Sequence, residues 1–414
     1  MTGARKHTVA GNIPDEWDAK LIKNCCDVVR GASPRPAGDP RYFDGDYLPW
    51  ITVADVTGMP GMYLDGTRTK LTKEGANFTR LIPPATLIIT NSGATLGVPK
   101  ITRELSGAND GIAVFLNLKD VSKECLFYIL ESKTEYFRNE LAPGVGQPNL
   151  NTELLGDVAI PIPPPGEQET IVGALSTWDT AIQKTEQLIA AKERHHSTLI
   201  HRLITAPSKS ESWRHSSIRD IADRVQRQGD GADYPLLTIS SASGFVRQED
   251  RYSRYMAGES AKTYTLLRAG EFSYNKGNSK RYEFGCVFQL QGYDAALVPN
   301  VYVSFKLHEA VCAAYMRHLF AADYLKPQLR ALVKTGVRNN GLLNIRPDEF
   351  MGTTVPLPPP KEQARIAKVL DAASSEIDLL RKQLVALRVQ KRGLMQKLLT
   401  GQWRLPAQEK AVSA

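Results

Sequence analysis

Pro161-Ile162-Pro163-Pro164-Pro165-Gly166-Glu167-Gln168 returns 195 residues later as Pro356-Leu357-Pro358-Pro359-Pro360-Lys361-Glu362-Gln363. The match runs without a gap to Thr205 and Thr400, with 13 identities in 45 aligned positions. A period of this kind means two copies of one structural unit rather than one continuous fold. A chain built as two copies suits the reading of something that also has two halves.

Beyond each proline strip the apolar residues step alternately by four and three. In the first copy they are Ile171, Leu175, Trp178, Ile182, Ile189, Leu199 and Leu203, with Thr185, Lys192 and His196 filling the remaining places. The second copy has Ile366, Leu370, Ala373, Ile377, Leu380, Leu384, Leu387, Leu394 and Leu398, with Lys391 as its polar member. This spacing predicts a coiled-coil seam over four heptads in both copies. Each helix would run about 39 residues, roughly 58 Å. Pro207 follows the first, and Gly401 follows the second with Lys397 in its last turn, as helix ends favour. The polar interruptions suit a long, partly solvated rod better than an ordinary core helix. His195 and His196 lack partners at metal-ligand spacing and read as surface or register residues. The strips themselves read as stiff polyproline spacers that aim the chain into each helix, in preference to ligands for proline-binding modules.

Before each helix lies a stretch of about 150 residues, within the usual size of a domain. The two stretches begin alike: Trp17, Ile22, Asp27 and Val29 match Trp213, Ile218, Asp223 and Val225. Each closes on a glycine- and asparagine-bearing segment, Gly144 to Asn149 and Thr335 to Gly341. Between these landmarks the copies diverge, mixing β-rich runs (Thr86 to Thr90, Val298 to Phe305) with helical ones (Cys125 to Leu141, Ala310 to Leu332). The fold class expected is α+β: two α/β domains of mixed, twisted sheet, separated by two long helices that form an antiparallel coiled coil with pseudo-twofold internal symmetry. The divisions expected are a tail at 1–13, a first domain at 14–160 and a strip plus helix at 161–207. A second domain at 208–355, a second strip plus helix at 356–405 and a tail at 406–414 complete the chain. If the ends of the connection through the second domain lie close together, the helices run antiparallel and the domains sit at opposite ends of the rod. Such an axis matches the dyad of duplex DNA, with the coiled coil as a ruler between half-sites.

Composition sets bounds. At 414 residues, two or three domains can each bury a core. No run of about 18 apolar residues occurs, and Met1 to Ala10 lacks an apolar signal core, so a cytoplasmic protein with no membrane partner is expected. Cys25, Cys26, Cys125, Cys286 and Cys312 form no Cys-x-x-Cys pair and read as reduced thiols, with no metal site. The net charge of +8 is unevenly spread: residues 1–160 carry 17 basic against 19 acidic side chains, and residues 206–355 carry 20 against 15. Net charge alone is therefore a weak argument for nucleic acid.

A proline strip running into Glu-Gln and a long helix, twice, after two divergent domains, resembles the specificity subunit of type I restriction-modification systems. The resemblance covers residues 14 to 405 and is supported by Trp17 and Trp213 at the domain starts. Phe272 to Ser279, with Leu297-Val298-Pro299-Asn300 downstream, looks like one recurrent class of these recognition domains. The resemblance implies that each domain is a target recognition domain reading one half of a bipartite sequence in double-stranded DNA. It implies that the paired helices set the gap and dock two modification (methyltransferase) subunits, which two restriction (translocase/endonuclease) subunits can join. It further implies a chain without catalysis or cofactor, with S-adenosylmethionine, ATP and magnesium on the partners. The residues agree: there is no Gly-Lys dipeptide for a P-loop, no Asn-Pro-Pro or Asp-Pro-Pro, and Gly93 to Gly97 has the wrong spacing for dinucleotide binding.

Base readout needs Arg, Lys, Asn or Gln presented on loops, whereas phosphate contacts need only cations, hydroxyls or amides. In the first domain Asn91, Ser92 and Thr95, after the apolar run Leu87 to Ile89, are the candidate loop. The equivalent place in the second holds Asn275, Lys276, Asn278, Ser279, Lys280 and Arg281. Gln147, Asn149, Arg338 and Asn339 are further candidates, with Arg247, Arg251 and Arg254 for phosphates. Plain turn chemistry is the alternative for each loop. Trp178, where the second copy has Ala373, either fills the seam opposite a small residue or anchors a modification subunit. Two rival functions are a methyltransferase or nuclease in its own right, and a coiled-coil scaffold without sequence preference. The domains differ enough that an asymmetric target is expected.

Overall fold

Trp17 and Trp213 each lead into a strand that pairs with the strand ending the same domain. In a computed structural model describing residues 4–142, 149–209, 213–251, 263–277, 279–333 and 342–405, Asp18–Leu21 lies antiparallel to Ala159–Ile162, and Arg214–Ser217 to Thr354–Leu357. Pro161 and Pro356 therefore sit in two-stranded sheets, opposite Ala19 and His215. This corrects the expectation of free polyproline spacers: a proline lacking N–H is tolerated where the strand has one partner only. The last proline of each strip, Pro165 or Pro360, is the first residue of its helix, where the missing N–H has no intrahelical acceptor to lose.

The chain divides into two compact units, Met1–Leu188 with Arg381–Ala414, and Ile189–Leu380. In the first, a five-stranded sheet has the order Asp27–Arg30, Ile112–Leu116, Leu87–Thr90, Pro99–Thr102, Tyr63–Leu64, the last pair parallel. In the second, Ala222–Arg224, Val303–Leu307, Phe272–Asn275 and Cys286–Gln289 pair antiparallel in the same relative order. The mixed sheet expected of both domains is thus found in the first, while the second pairs its described strands antiparallel. The run Val298 to Phe305 is two strands. Ala295–Val298 ends at Pro299, whose carbonyl accepts from the Tyr302 amide in a turn before Val303–Leu307.

Strand alternation distributes the core. Leu87, Ile89, Ala113 and Phe115 face the helix Lys123–Ser132 and the long helices, packing with Leu126, Leu130, Leu175 and Leu398. Ile88, Ile112 and Val114 point the other way, into Ile51 and Ile82 of a second sheet and Val56 of the helix Val53–Gly58. Both faces are covered, so these strands read as near-continuous apolar runs. In the second unit aromatic rings fill the same place: Tyr274 stacks on Phe350 at 4.2 Å and Phe272 on Phe305 at 5.5 Å, over Leu319, Ile366 and Leu370.

The long helices span Pro165–Ile200 (36 residues, continued by a π-helical turn to Thr205) and Pro360–Leu399 (40 residues). Within each unit their segments run antiparallel. In the first, Glu186 meets Arg388 and Asp179 meets Lys391; in the second, Lys192 meets Glu376 and His196 meets Ser374. Every seam position is buried or half-buried, whereas Leu379, Val385 and Val389 off the seam are exposed. Trp178 is half-buried.

The repeated Glu-Gln acquires a physical reason. Gln168 and Gln363 are 4% and 3% exposed. Each side-chain oxygen accepts from the backbone N–H that precedes a domain helix, Ser122 (2.7 Å) or Cys312 (2.9 Å). Each amide donates to a carbonyl of its own strip, Pro163 (2.8 Å) or Pro358 (2.9 Å). One amide thus satisfies an orphan helix donor and a buried carbonyl together. The glutamates are not equivalent: Glu167 accepts from Trp17 Nε1 and Arg404, while Glu362 pairs with nearby Arg365.

The polar seam positions also correspond. Lys391, 195 residues after His196, is buried between Glu131 and Asp179, 2.7 Å from each, and lies over the Tyr128 ring. Burial pulls its ammonium down, but the two carboxylates outweigh it and raise its pKa. At the matching place His196 bonds Ser374 at 3.1 Å and lies 6.1 Å from the His318 ring, which meets Asp371 at 2.6 Å beside Arg317.

Two predictions follow from these contacts. Gln363→Ala, which leaves a buried carbonyl and a helix donor unpaired, should lower unfolding stability by about 1–3 kcal/mol. Glu362→Ala should leave the denaturant midpoint nearly unchanged; equal losses would remove the special role of the amide. Burial holds the pKa of His196 and His318 below the ordinary value, against the raising effect of Asp371 on the latter. Unfolded imidazoles take up protons below about pH 6.5 while the folded ones resist. Their contribution is therefore complete above that pH and is lost as pH falls below it. The denaturant midpoint should drop from about pH 7 to about pH 5, and by less in His196→Gln.

Candidate nucleic-acid interface

The central strand of each unit ends in a loop that the returning chain fastens down. In the first unit Thr90 closes the turn: its hydroxyl donates to the Thr95 carbonyl at 2.8 Å and accepts from the Val98 amide at 2.9 Å. Gly93 takes a φ of +80° inside it, a conformation open to glycine at little cost. Ser92 pairs with Asn149 in an isolated antiparallel bridge, and the Leu150 amide donates to the Asn91 carbonyl at 2.7 Å. In the second unit Gly277 pairs with Leu342, and the Leu343 amide donates to the Lys276 carbonyl at 2.9 Å. The two units therefore use one backbone device at the same sheet end.

The expected side chains fall into different places. Ala94, Thr95 and Asn149 are exposed and Ser92 half-exposed, all on this fastened loop. Asn91 is 1% exposed, so its amide lies beneath the loop instead of at the surface, and the expected readout role does not fit its position. Its backbone N–H is held by the Gly111 carbonyl at 2.9 Å, while its side-chain amide has no hydrogen-bond partner in the structure. In the second unit Asn275 is half-buried; its Oδ1 accepts from the Gly277 amide and its Nδ2 donates to the Ile239 carbonyl. Arg251 Nη1 reaches the same carbonyl at 2.9 Å, so the structure brings these two candidates together. Ser279 closes a turn with Tyr282, which leaves Lys280 and Arg281 exposed, Arg281 lying 5.4 Å over the Tyr282 ring. Lys276 is half-buried. Arg247 is exposed and paired with Glu249 at 2.9 Å. Gln147, Arg254, Asn278, Arg338 and Asn339 lie outside the described residues.

One element of the site was passed over in the sequence. The turn Asn109-Asp110-Gly111 abuts the Asn91 loop, and a Cβ on Gly111 would stand 2.9 Å from Ser92 Oγ. Asn109 Oδ1 accepts from the Gly111 amide. Asn-Asp-Gly is a turn signal in its own right, which could have marked it.

Among the described residues no group of three His, Cys, Asp or Glu side chains could hold a metal ion, and no helix is long and apolar enough to cross a membrane.

The family model for the type I restriction modification DNA specificity domain matches residues 14–193. The chain is 25% identical to the type I restriction enzyme MjaIX specificity subunit of Methanocaldococcus jannaschii, over 97% of this chain and 96% of that protein. It is 22% identical to the EcoKI specificity subunit of Escherichia coli, over 95% and 92%. Its fold is similar to the crystal structure of a type I restriction-modification S subunit from M. genitalium, with a TM-score of 0.55 at 15% identity, covering 92% of this chain and 96% of that one. A chain from a structure of complex assembly and conformational transition in the type I system gives 0.57 at 15% identity, covering 94% and 99%. With its doubled strip, helix and domain, the chain is similar along nearly its whole length to type I restriction-modification specificity subunits, and its residues 14–193 match the DNA specificity domain of that family.

Proposed function

We propose that this chain is the non-catalytic subunit that selects the DNA target of a type I restriction-modification system, each unit reading one half of a split, asymmetric sequence. The observation that carries the reading is the shared frame with unlike surfaces. The same strand order and the same fastened loop recur in both units, but the exposed side chains are Thr95 and Asn149 in one and Lys280 and Arg281 in the other. Direct readout depends on the donors and acceptors that a loop presents to base edges. Two loops of different chemistry on one frame are therefore suited to two different half-sites.

In this reading the paired long helices set the gap and bind two modification subunits, which two restriction subunits join. S-adenosylmethionine, ATP and magnesium are used on those partners, in the cytoplasm. Specificity subunits similar to this chain are named as parts of type I restriction enzymes, and the assembly of such a system is the subject of a structure with a similar fold.

Co-expression with a modification subunit, followed by sequencing of methylated bases across the host genome, tests the proposal. A split motif with a fixed gap is the expected result. Replacing residues 210–350 by the matching stretch of a related subunit should then change one half of that motif and leave the other intact. A change in both halves would overturn the assignment of one half-site to each unit.

A further inference from the structure

We infer that Arg30 and Arg80, seconded by Arg35, form a phosphate clamp beside the reading loop of the first unit; the inference rests on the DNA-recognition reading above. Residues 1–160 carry a slight excess of acid, so composition gives this unit no obvious hold on a polyanion. The fold supplies one by assembly. Arg30 ends the strand Asp27–Arg30 opposite Ala113, and Thr90 ends its own strand opposite Ile112. Both stand at the sheet end where the Asn109–Gly111 turn touches the Asn91–Thr95 loop.

Here the arginines are linked in series. Arg80 Nε donates to the Arg30 carbonyl at 2.8 Å, and Arg30 Nε donates to the Asp110 carbonyl. Arg35 Nη2 meets the Asp110 carboxylate at 3.1 Å, and that carboxylate also accepts from Ser33 Oγ. All three arginines are exposed. Arg30 and Arg80 are thus held through Nε by backbone carbonyls rather than by carboxylates. Among the described residues neither makes an ion pair with a carboxylate, and the outer fork of each guanidinium keeps its paired donors for another acceptor. A planar fork fixed at its base is pre-organised for bidentate contact with phosphate oxygens. The Asp110 carboxylate faces both Arg35 and Arg30, but one negative charge against three positive ones leaves the cluster net positive. Its own anchoring of Arg35 and of the turn explains why an acid stands there. Because phosphate carries no sequence information, the clamp would set the register of the neighbouring loop on the duplex rather than its preference.

The test uses the full-length chain and two duplexes, one carrying the methylated motif and one with that motif scrambled, titrated over a range of salt. Each phosphate neutralised contributes about 0.9 to the slope of log affinity against log salt. The double variant Arg30→Gln/Arg80→Gln should reduce that slope by about 1.8 on both duplexes, weaken both to a similar degree, and leave the methylated sequence unchanged. Arg30→Lys/Arg80→Lys, which keeps the charge and loses the fork, should retain the slope with weaker binding, and it separates loss of contact from misfolding. An unchanged slope in the folded glutamine variant, with motif preference intact, would overturn the clamp and spare the recognition reading. Wild-type chain that showed no preference between the duplexes and no salt dependence would overturn both.

Discussion

The buried amide of Gln168, and its copy in Gln363, is the contact on which the rest of each unit depends. A long helix entering a globular domain has to be aimed, and an aim held by apolar packing alone would tolerate rotation about the helix axis. The glutamine removes that freedom by bonding the proline strip behind it and the amide at the head of the domain helix beside it. Both partners are backbone groups, so the side chains around them are free to change as long as the amide stays. This accounts for a motif that survives in duplicate while the domains beside it have drifted apart. The strip reinforces the aim, because its first proline is already paired in a strand with the residues after Trp17 or Trp213.

The same frame is fastened differently at its two polar centres. Lys391 is enclosed by Glu131, Asp179 and Tyr128, and removing one member of such a buried set leaves the others uncompensated. The matching position holds His196, near His318, Ser374 and Asp371. Tyr128 and His318 correspond as well, since each lies six residues beyond the N-cap position, Ser122 or Cys312, whose amide the glutamine accepts. In both units, then, a polar residue of one long helix is met by the other long helix and by the domain helix at once. Such a centre penalises a shift of register more sharply than leucine contacts do. The first centre is an ion set, whereas the second turns on two imidazoles whose pKa burial lowers.

Local and periodic features were legible in the sequence. The strip, the Glu-Gln, the seam from Ile171 to Leu203 and from Ile366 to Leu398, and the position of both loops could all be read from spacing. Non-local pairing could not. Pro161 reads as a break in any linear scheme, and only its partner Ala19 makes it a strand residue. The common strand order was hidden because sheet interiors accept Leu-Ile-Ile-Thr and Phe-Ser-Tyr-Asn equally well when the opposing core changes with them. Asn91 looked like a base reader from its type and loop position; its burial, with its N–H bonded to the Gly111 carbonyl, is a tertiary fact. Arg30, Arg80 and Asp110 come from three separate stretches of chain and carry no motif, so no window along the sequence would gather them.

The loops themselves show why such a frame can be re-aimed without being refolded. The bonds that fasten them, Leu150 N–H to the Asn91 carbonyl and Leu343 N–H to the Lys276 carbonyl, join backbone to backbone. Backbone groups must be satisfied whatever side chains they carry, so the fastening is indifferent to the residues it presents. Asn149 can stand where the other unit has Leu342, and Ser92 where it has Gly277, with the bridge preserved. Stability resides in the apolar sheet, the glutamine and the seam, all away from the loop tips. Substitution at exposed positions such as Thr95, Lys280 and Arg281 changes the donors and acceptors on offer at little cost to the fold. Two copies of that arrangement in one chain can therefore carry loops of different chemistry on one frame.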